Sequence, residues 1–460
     1  MIKNHTLDKS LTSKGGMGTS EAIVSPTNKE LYGEVFTPLH FIDQMLDIIP
    51  KKVFENPNLT WLDPGTGTGN FSVILYFKLL EHLKLEFHDI EERKDHIINN
   101  MIYMVELQPD NVTHLKNLFG PSANIYEGDF LDYLPEISGF DVVIGNPPFN
   151  SNGLKKVPTN SKNNKKQDGQ TVWSQFIRKS IELLKSETGI LCVFIPSIWL
   201  KPDKQKMYYY LTQYDIKKLN CFSNTETNRI FKGNAQTPSC FFLLTKRETD
   251  KIISIFDKNT NHNTLKYIDY YLKQDIPIPL TNIDIINKLN INGFCPLIVI
   301  KTNMPPKGTV LSLTKTKDTP YPNITTCLQN KTIVLDKGCG LSSTPHIVIN
   351  YSNIPLYGAN KPKLILAHKM YGLPYLDETG EFGISNRDNY VIYKEKIEDL
   401  IKLQKFLSTK LAIQVFDATR YRMKYLEKYA FQLIPDITLL PDFPEEINDD
   451  TIAEYFYLCK

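Results

Sequence analysis

Phe140-Asp141-Val142-Val143-Ile144-Gly145-Asn146-Pro147-Pro148-Phe149 is an apolar, strand-like run that ends on an amide, two prolines and an aromatic. Proline fixes φ and has no N–H to give to a ladder, so the strand stops at a stiff corner. Pro148 also pushes Pro147 toward an extended conformation. The corner therefore offers a side-chain amide oxygen, a free backbone carbonyl and a flat ring on one rigid loop. That set suits a planar substrate bearing an NH2 group. Taken alone, the run reads equally well as a proline turn after a strand.

Upstream lies Trp61-Leu62-Asp63-Pro64-Gly65-Thr66-Gly67-Thr68-Gly69-Asn70-Phe71, which reads as a short strand, a glycine loop and a helix start. Glycines let backbone approach a ligand closely, and the helix N-terminus supplies N–H groups. The loop is not a P-loop, because no Gly-Lys-Ser/Thr follows. It is a poor dinucleotide fingerprint, because Asn70 stands where the third glycine belongs.

Strand and helix signals alternate around these two landmarks. A helical pattern runs from Phe71 to Leu83, and Met101 to Glu106 reads as a strand. Pro109 opens a helix that ends near Gly120. Ala123 to Tyr126 and Asp141 to Gly145 are strands, Val172 to Leu184 is an amphipathic helix, and Ile190 to Ile195 is a buried strand. Such alternation predicts an α/β fold with a doubly wound sheet. Ligands of these sheets sit beyond the carboxyl ends of the strands. Asp63, Glu106, Asp129 and Asn146 all fall at such ends.

With these pieces in order, the chain resembles the gamma-class N6-adenine DNA methyltransferases, which use S-adenosylmethionine. The resemblance covers roughly residues 31 to 245. It implies a seven-stranded Rossmann-like catalytic sheet followed by an α+β target-recognition domain. Gly33-Glu34-Val35-Phe36-Thr37-Pro38 resembles the cofactor-facing N-terminal motif, with Thr37 and Pro38 at its end. Asp63, Pro64, Gly65, Gly67 and Gly69 match the methionine-binding loop. Glu106 corresponds to the acid that takes the ribose hydroxyls. In Gly128-Asp129-Phe130, Asp129 would accept from the cofactor's adenine amino group and Phe130 would pack on its ring. Asn146, Pro147 and Phe149 match the catalytic motif, and Phe231 resembles the aromatic that stacks on a flipped base. The implied chemistry is a direct displacement in which Asn146 Oδ1 and the Pro147 carbonyl each accept one N6–H of an adenine flipped out of duplex DNA. No metal is implied. Two other classes share the corner: methyltransferases acting on glutamine of release factors, and some acting on RNA. Their layout differs from this one. The glutamine enzymes carry an N-terminal helical domain and lack a long C-terminal one. A catalytically dead DNA-binding module is a third reading.

Length and composition set limits. A chain of 460 residues allows two to three domains. We divide it into a polar arm (1–30), a catalytic domain (31–250) and a recognition domain (251–460), whose onset is marked by irregular, proline-rich sequence. Net charge is +2, so basic residues would have to be grouped to hold nucleic acid. Lys155 and Lys156, in the polar stretch after the corner, are candidate phosphate contacts. So are Lys363, Arg420 and Arg422 further on. Glu398 to Gln414 and Tyr421 to Phe431 read as helices. Seven cysteines occur without a C-x-x-C pair, which suggests neither a zinc ribbon nor a disulfide scaffold. Gly189 to Leu200, the longest apolar run, is too short to span a bilayer, and the N-terminus lacks the apolar core of a signal peptide. The expectation is a soluble, intracellular, monomeric modification enzyme acting on double-stranded DNA, without a nuclease core of its own. Two readings stay open: a cognate restriction endonuclease encoded separately, or a viral or phage enzyme without such a partner.

Overall fold

In the computed structural model, residues 36–150, 171–258, 266–290, 294–328, 346–368, 373–421 and 426–457 are described. They divide into two compact units, Met1–Trp199 with Asp203–Ser254, and Leu200–Pro202 with Ile255–Lys460. Among the described residues no helix is long and apolar enough to cross a membrane.

The first unit is organised by strands β1 (Trp61–Asp63), β2 (Ile102–Glu106), β3 (Asn124–Glu127), β4 (Val142–Gly145), β5 (Ile190–Pro196), β6 (Tyr214–Phe222) and β7 (Ser239–Glu248). Their spatial order is β3-β2-β1-β4-β5-β7-β6. The first five run parallel, whereas β7 is antiparallel to both β5 and β6. Strand β8 (Ile252–Asp257) spans the boundary at Ser254, and β9 (Lys266–Tyr271) belongs to the second unit.

Every residue of β1 and β4 is buried, as expected of central parallel strands covered on both faces. One carboxylate pins the start of β4 to its neighbours. Asp141 Oδ2 accepts from Thr60 N at 2.9 Å, from Thr60 Oγ1 at 3.0 Å and from Lys185 Nζ at 2.8 Å. Chain order reverses between β1 and β4, so their carboxyl ends flank the topological switch point of the sheet.

Helices α1 (Leu39–Leu46), α2 (Asn70–His82), α3 (Pro109–Phe119) and α4 (Trp173–Leu183) cover the sheet. Pro109 opens α3 at a position where a missing N–H costs nothing. One π-helical turn, Ile97–Met101, precedes β2 and delays that strand to Ile102. The Asn124 side chain donates to the Ile98, Asn99 and Ile102 carbonyls, which steadies that turn. The core between α1, α2 and the sheet is largely aromatic. Phe41 meets Phe194, Phe222, Phe231 and Phe241 edge-on with ring centroids 5.3 to 6.1 Å apart. Cys192 lies in the same core and donates to the Met45 carbonyl.

The second unit contains two four-stranded sheets. One has the order β10-β17-β14-β15, from β10 (Ile300–Lys301), β14 (Lys363–Ala367), β15 (Tyr375–Asp377) and β17 (Asn389–Ile392). The other has the order β11-β13-β12-β16, from β11 (Leu311–Ser312), β12 (Tyr321–Leu328), β13 (His346–Ser352) and β16 (Gly383–Ile384). Ile324, Cys327, Ile365, Ile384 and Val391 form a core cluster with them.

Two helical expectations need correction here. The single helix expected over 398–414 is two, α5 (Ile397–Leu407) and α6 (Lys410–Asp417), because the Thr409 side chain caps a new helix by accepting from Ala412 N. The stretch 421–431 is not one α-helix. Its described part carries only a 3-10 segment, Lys428–Leu433.

Candidate functional site

Asp63 ends β1 and Asn146 follows β4, so the switch point places them on adjacent strands. Between Asp63 and α2 the glycine loop turns on backbone that side chains rarely tolerate. Gly67 has φ +57° and Gly69 φ +96°, and a Cβ on Gly69 would come within 2.9 Å of Leu115 Cδ2. Thr66 fastens the turn, its N–H reaching the Val105 carbonyl at 3.1 Å and its hydroxyl the Asp63 carbonyl at 3.1 Å.

Asp63 is 2% exposed. Ser72 Oγ donates to its Oδ2 at 3.1 Å, whereas its Oδ1 is buried without a hydrogen-bond partner. Burial pushes the carboxyl up to about 7, with Glu106 adding to the rise, while Ser72 and the Gly65 backbone oppose it. A buried carboxylate with an orphaned oxygen calls for a cationic or N–H-bearing ligand. Gly145 keeps the approach open. It has φ +153°, and a Cβ there would lie 3.4 Å from both Asp63 Oδ1 and Pro64 Cδ.

Glu106 is also buried and belongs to the loop it faces. Its Oε2 accepts from Gly67 N at 2.7 Å, and its Oε1 accepts from Gln108 N at 2.9 Å and Asn111 Nδ2 at 3.3 Å. Its backbone carbonyl takes the Gly128 N–H at 2.9 Å. This acid thus ties together three of the motifs read from sequence. Asp129 is exposed and caps the turn Phe130–Asp132, accepting from Leu131 N through Oδ1. The Phe130 ring is 2% exposed, with its centroid 5.2 Å from that of Phe176.

At the corner, Asn146 is half-buried and Pro147 buried. Asn146 Nδ2 donates to Thr37 Oγ1 at 3.0 Å. No described residue donates to Asn146 Oδ1 or to the Pro147 carbonyl. Two acceptors of adjacent residues are therefore unused. Pro38 follows Thr37 as the residue that caps α1. Phe149 is half-buried, its ring 6.4 Å from Phe194. Phe231 is 3% exposed and lies 5.4 Å from the same Phe194 ring, inside the aromatic core. Trp199 is a core residue, fully buried, with Nε1 donating to Cys240 Sγ.

The candidate phosphate contacts fare differently. Lys155, Lys156 and Arg422 lie outside the described residues. Lys363 is a correction: its side chain is fully buried, with Nζ 2.5 Å from Asp377 Oδ2 and 3.1 Å from the Lys361 carbonyl. Asp377 in turn takes the Glu381 and Phe382 N–H groups. Alternation in a strand does not reveal that one lysine has an internal counter-ion. Arg420 lies beside Asp417 at 2.8 Å and is 39% exposed.

A stronger basic feature went unread. Besides Lys363, whose charge Asp377 meets internally, residues 285–375 hold nine lysines, 288, 301, 307, 315, 317, 331, 337, 361 and 369, against Asp318 and Asp336, in a chain of net charge +2. Lys301, Lys307, Lys315, Lys317 and Lys361 are exposed. Counting charge by segment, rather than over the whole chain, would have found it.

Residues 27–231 match the family model described as Eco57I restriction-modification methylase. No curated protein matches the chain. Among solved structures, the methyltransferase subunit of a type I restriction-modification system from Streptococcus thermophilus is 19% identical, covering 51% of this chain and 50% of that one, with a TM-score of 0.34. The M protein of the type I restriction enzyme EcoKI is 16% identical, covering 50% of each chain, with a TM-score of 0.35. The type IIL restriction-modification enzyme MmeI, solved in complex with DNA, is 13% identical, covering 90% of this chain and 68% of that one, with a TM-score of 0.46. The chain spans about half the length of the type I modification proteins it matches.

Proposed function

We propose that this chain is an S-adenosylmethionine-dependent methyltransferase that methylates N6 of adenine in double-stranded DNA, the modification activity of a restriction-modification system. The observation that carries the reading is the pair of unused acceptors, Asn146 Oδ1 and the Pro147 carbonyl, beside an orphaned carboxylate oxygen at the switch point of the sheet. The match of residues 27–231 to a restriction-modification methylase family supports it.

The residues present fit the cofactor. Asp63 Oδ1 would hold its ammonium group, the glycine loop would pass beneath it, and Glu106 would face its ribose while keeping the loop in shape. When bound, S-adenosylmethionine supplies an electrophilic methyl group on its sulfonium. The adenine amine is a poor nucleophile because its lone pair is delocalised into the ring. Asn146 Oδ1 and the Pro147 carbonyl each accept one N6–H, which localises the lone pair and fixes its direction. The proton lost on methylation leaves through the same acceptors to water. Phe149 covers one face of the base. A Phe231 contact with the base requires that ring to leave its packing in the aromatic core. The exposed lysines of 301–361 supply cationic surface for phosphates, which favours nucleic acid over a protein glutamine as the substrate. We assign recognition to the second unit on that ground.

The test is expression in a host free of adenine methylation, followed by long-read sequencing of its DNA. N6-methyladenine at one recurring sequence is the expected result. DNA without it, from a cell making folded protein, overturns the proposal.

A further inference from the structure

Thr37 is bonded from both ends to the two halves of the site. Its hydroxyl takes the Asn146 Nδ2 hydrogen bond at 3.0 Å, and its carbonyl takes one from Asn70 Nδ2 at 2.9 Å. Thr37 itself is 4% exposed. Asn70 begins α2 immediately after the glycine loop, at the place where a dinucleotide fingerprint would carry glycine. A glycine there has no side chain to reach Thr37, whereas asparagine does.

We infer that Thr37 is a positioning residue that fixes which end of the Asn146 amide faces the substrate, and that Asn70 holds Thr37 in place from the glycine loop. The inference rests on the function proposed above. An asparagine amide has a donor end and an acceptor end, and its last torsion has two broad wells roughly half a turn apart. With Nδ2 engaged by Thr37, the oxygen is the end left for the amine. With the amide reversed, an NH2 group meets an NH2 group and neither accepts. A typical net hydrogen bond of about 0.5–1.5 kcal/mol changes the ratio of the two orientations roughly 2- to 13-fold. With that preference gone the oxygen still faces the amine in about half of the molecules, so the loss of the Thr37 hydroxyl is expected to lower kcat by about twofold and to leave cofactor affinity unchanged.

The experiment compares Thr37→Val, Thr37→Ser and Asn70→Ala with the wild type, each checked for an unchanged melting temperature. Three quantities are read: kcat and KM on duplex carrying the mapped site, S-adenosylmethionine affinity by calorimetry, and the side-chain amide resonances of Asn146. The resonances are observed in protein labelled with 15N at asparagine and assigned by their loss in Asn146→Ser. Thr37→Val should shift the Asn146 amide pair and lower kcat, Thr37→Ser should restore both, and Asn70→Ala should move both in the same direction by less. If Thr37→Val and Asn70→Ala should both unfold, Thr37→Ala carries the same test. Unshifted amide resonances with wild-type kcat overturn the inference. So does a loss of cofactor affinity equal to the loss of rate, because the hydroxyl would then act on the cofactor. A wild-type protein that methylates no DNA overturns the proposed function instead, and in that case the amide resonances still report whether Thr37 orients Asn146.

Discussion

Glu106 Oε2 accepts the Gly67 N–H at 2.7 Å, so the acid at the end of β2 grips the backbone of the loop that follows β1. Its effect on a ligand is then partly indirect, through the shape of the loop. Glu106→Ala removes acceptors for three donors, and hydrogen bonds to charged groups are worth about 1.5–3 kcal/mol each. S-adenosylmethionine affinity should fall at least about tenfold by calorimetry. Glu106→Gln retains one acceptor oxygen and should lose less. Equal losses in the two variants would show that the charge, not the grip on the loop, is what matters.

Asp63 makes cofactor binding depend on pH. Its carboxyl is pushed up to about 7, so below that pH it is protonated and offers no counter-charge to an ammonium group. Affinity should rise about tenfold per pH unit up to about 7 and then level off. It should decline above about 8, where an α-amino group loses its own proton. Asp63→Asn should abolish the rise. For the unliganded protein the sign is opposite. The folded state keeps a proton that the unfolded chain releases near 3.8, so this group's contribution to stability falls as pH climbs from about 4 to about 7.

Gly145→Ala should destabilise the first unit. It combines φ +153° with a new Cβ 3.4 Å from Asp63 Oδ1 and Pro64 Cδ. A cost of about 1–3 kcal/mol is expected in denaturant unfolding. Wild-type stability would mean the corner has slack that the geometry does not show.

The lysine band and Lys363 should respond in different ways. Replacing Lys307, Lys315 and Lys317 together by Gln should flatten the salt dependence of DNA binding by about 0.9 for each phosphate no longer neutralised, on cognate and scrambled duplex alike. Lys363→Met should unfold the second unit by about 3–5 kcal/mol, because it leaves Asp377 buried without its partner. Gel shifts across a salt series, paired with thermal melts, separate the two.

How much of this was legible follows from which residues punctuate the chain. Gly65 to Gly69 and Pro147-Pro148 mark strand ends unambiguously, so Asp63 and Asn146 could be placed at the carboxyl ends of strands. Buried parallel strands such as β4 are short and uniformly apolar, which identified them. The second unit was harder. Its strands are short and interrupted by prolines, and Thr409 restarts a helix that periodicity runs straight through. Partnership between distant side chains left no trace either: the Lys363–Asp377 pair, the Thr37–Asn146 bond and the packing of Phe231 all join residues through the fold. The basic band was visible as composition and was missed because charge was summed over all 460 residues.

The thiols of the core have a use unrelated to any reaction. Cys192 and Cys240 in the first unit, and Cys327 in the second, are buried, and burial pushes each up to about 12, far from the thiolate that alkylating reagents attack. With Cys221, Cys295, Cys339 and Cys459 replaced by serine, labelling must wait for a unit to open. Each unit thus carries its own chemical clock. Mass spectrometry of a timed alkylation would read the opening rate of one half of the chain independently of the other.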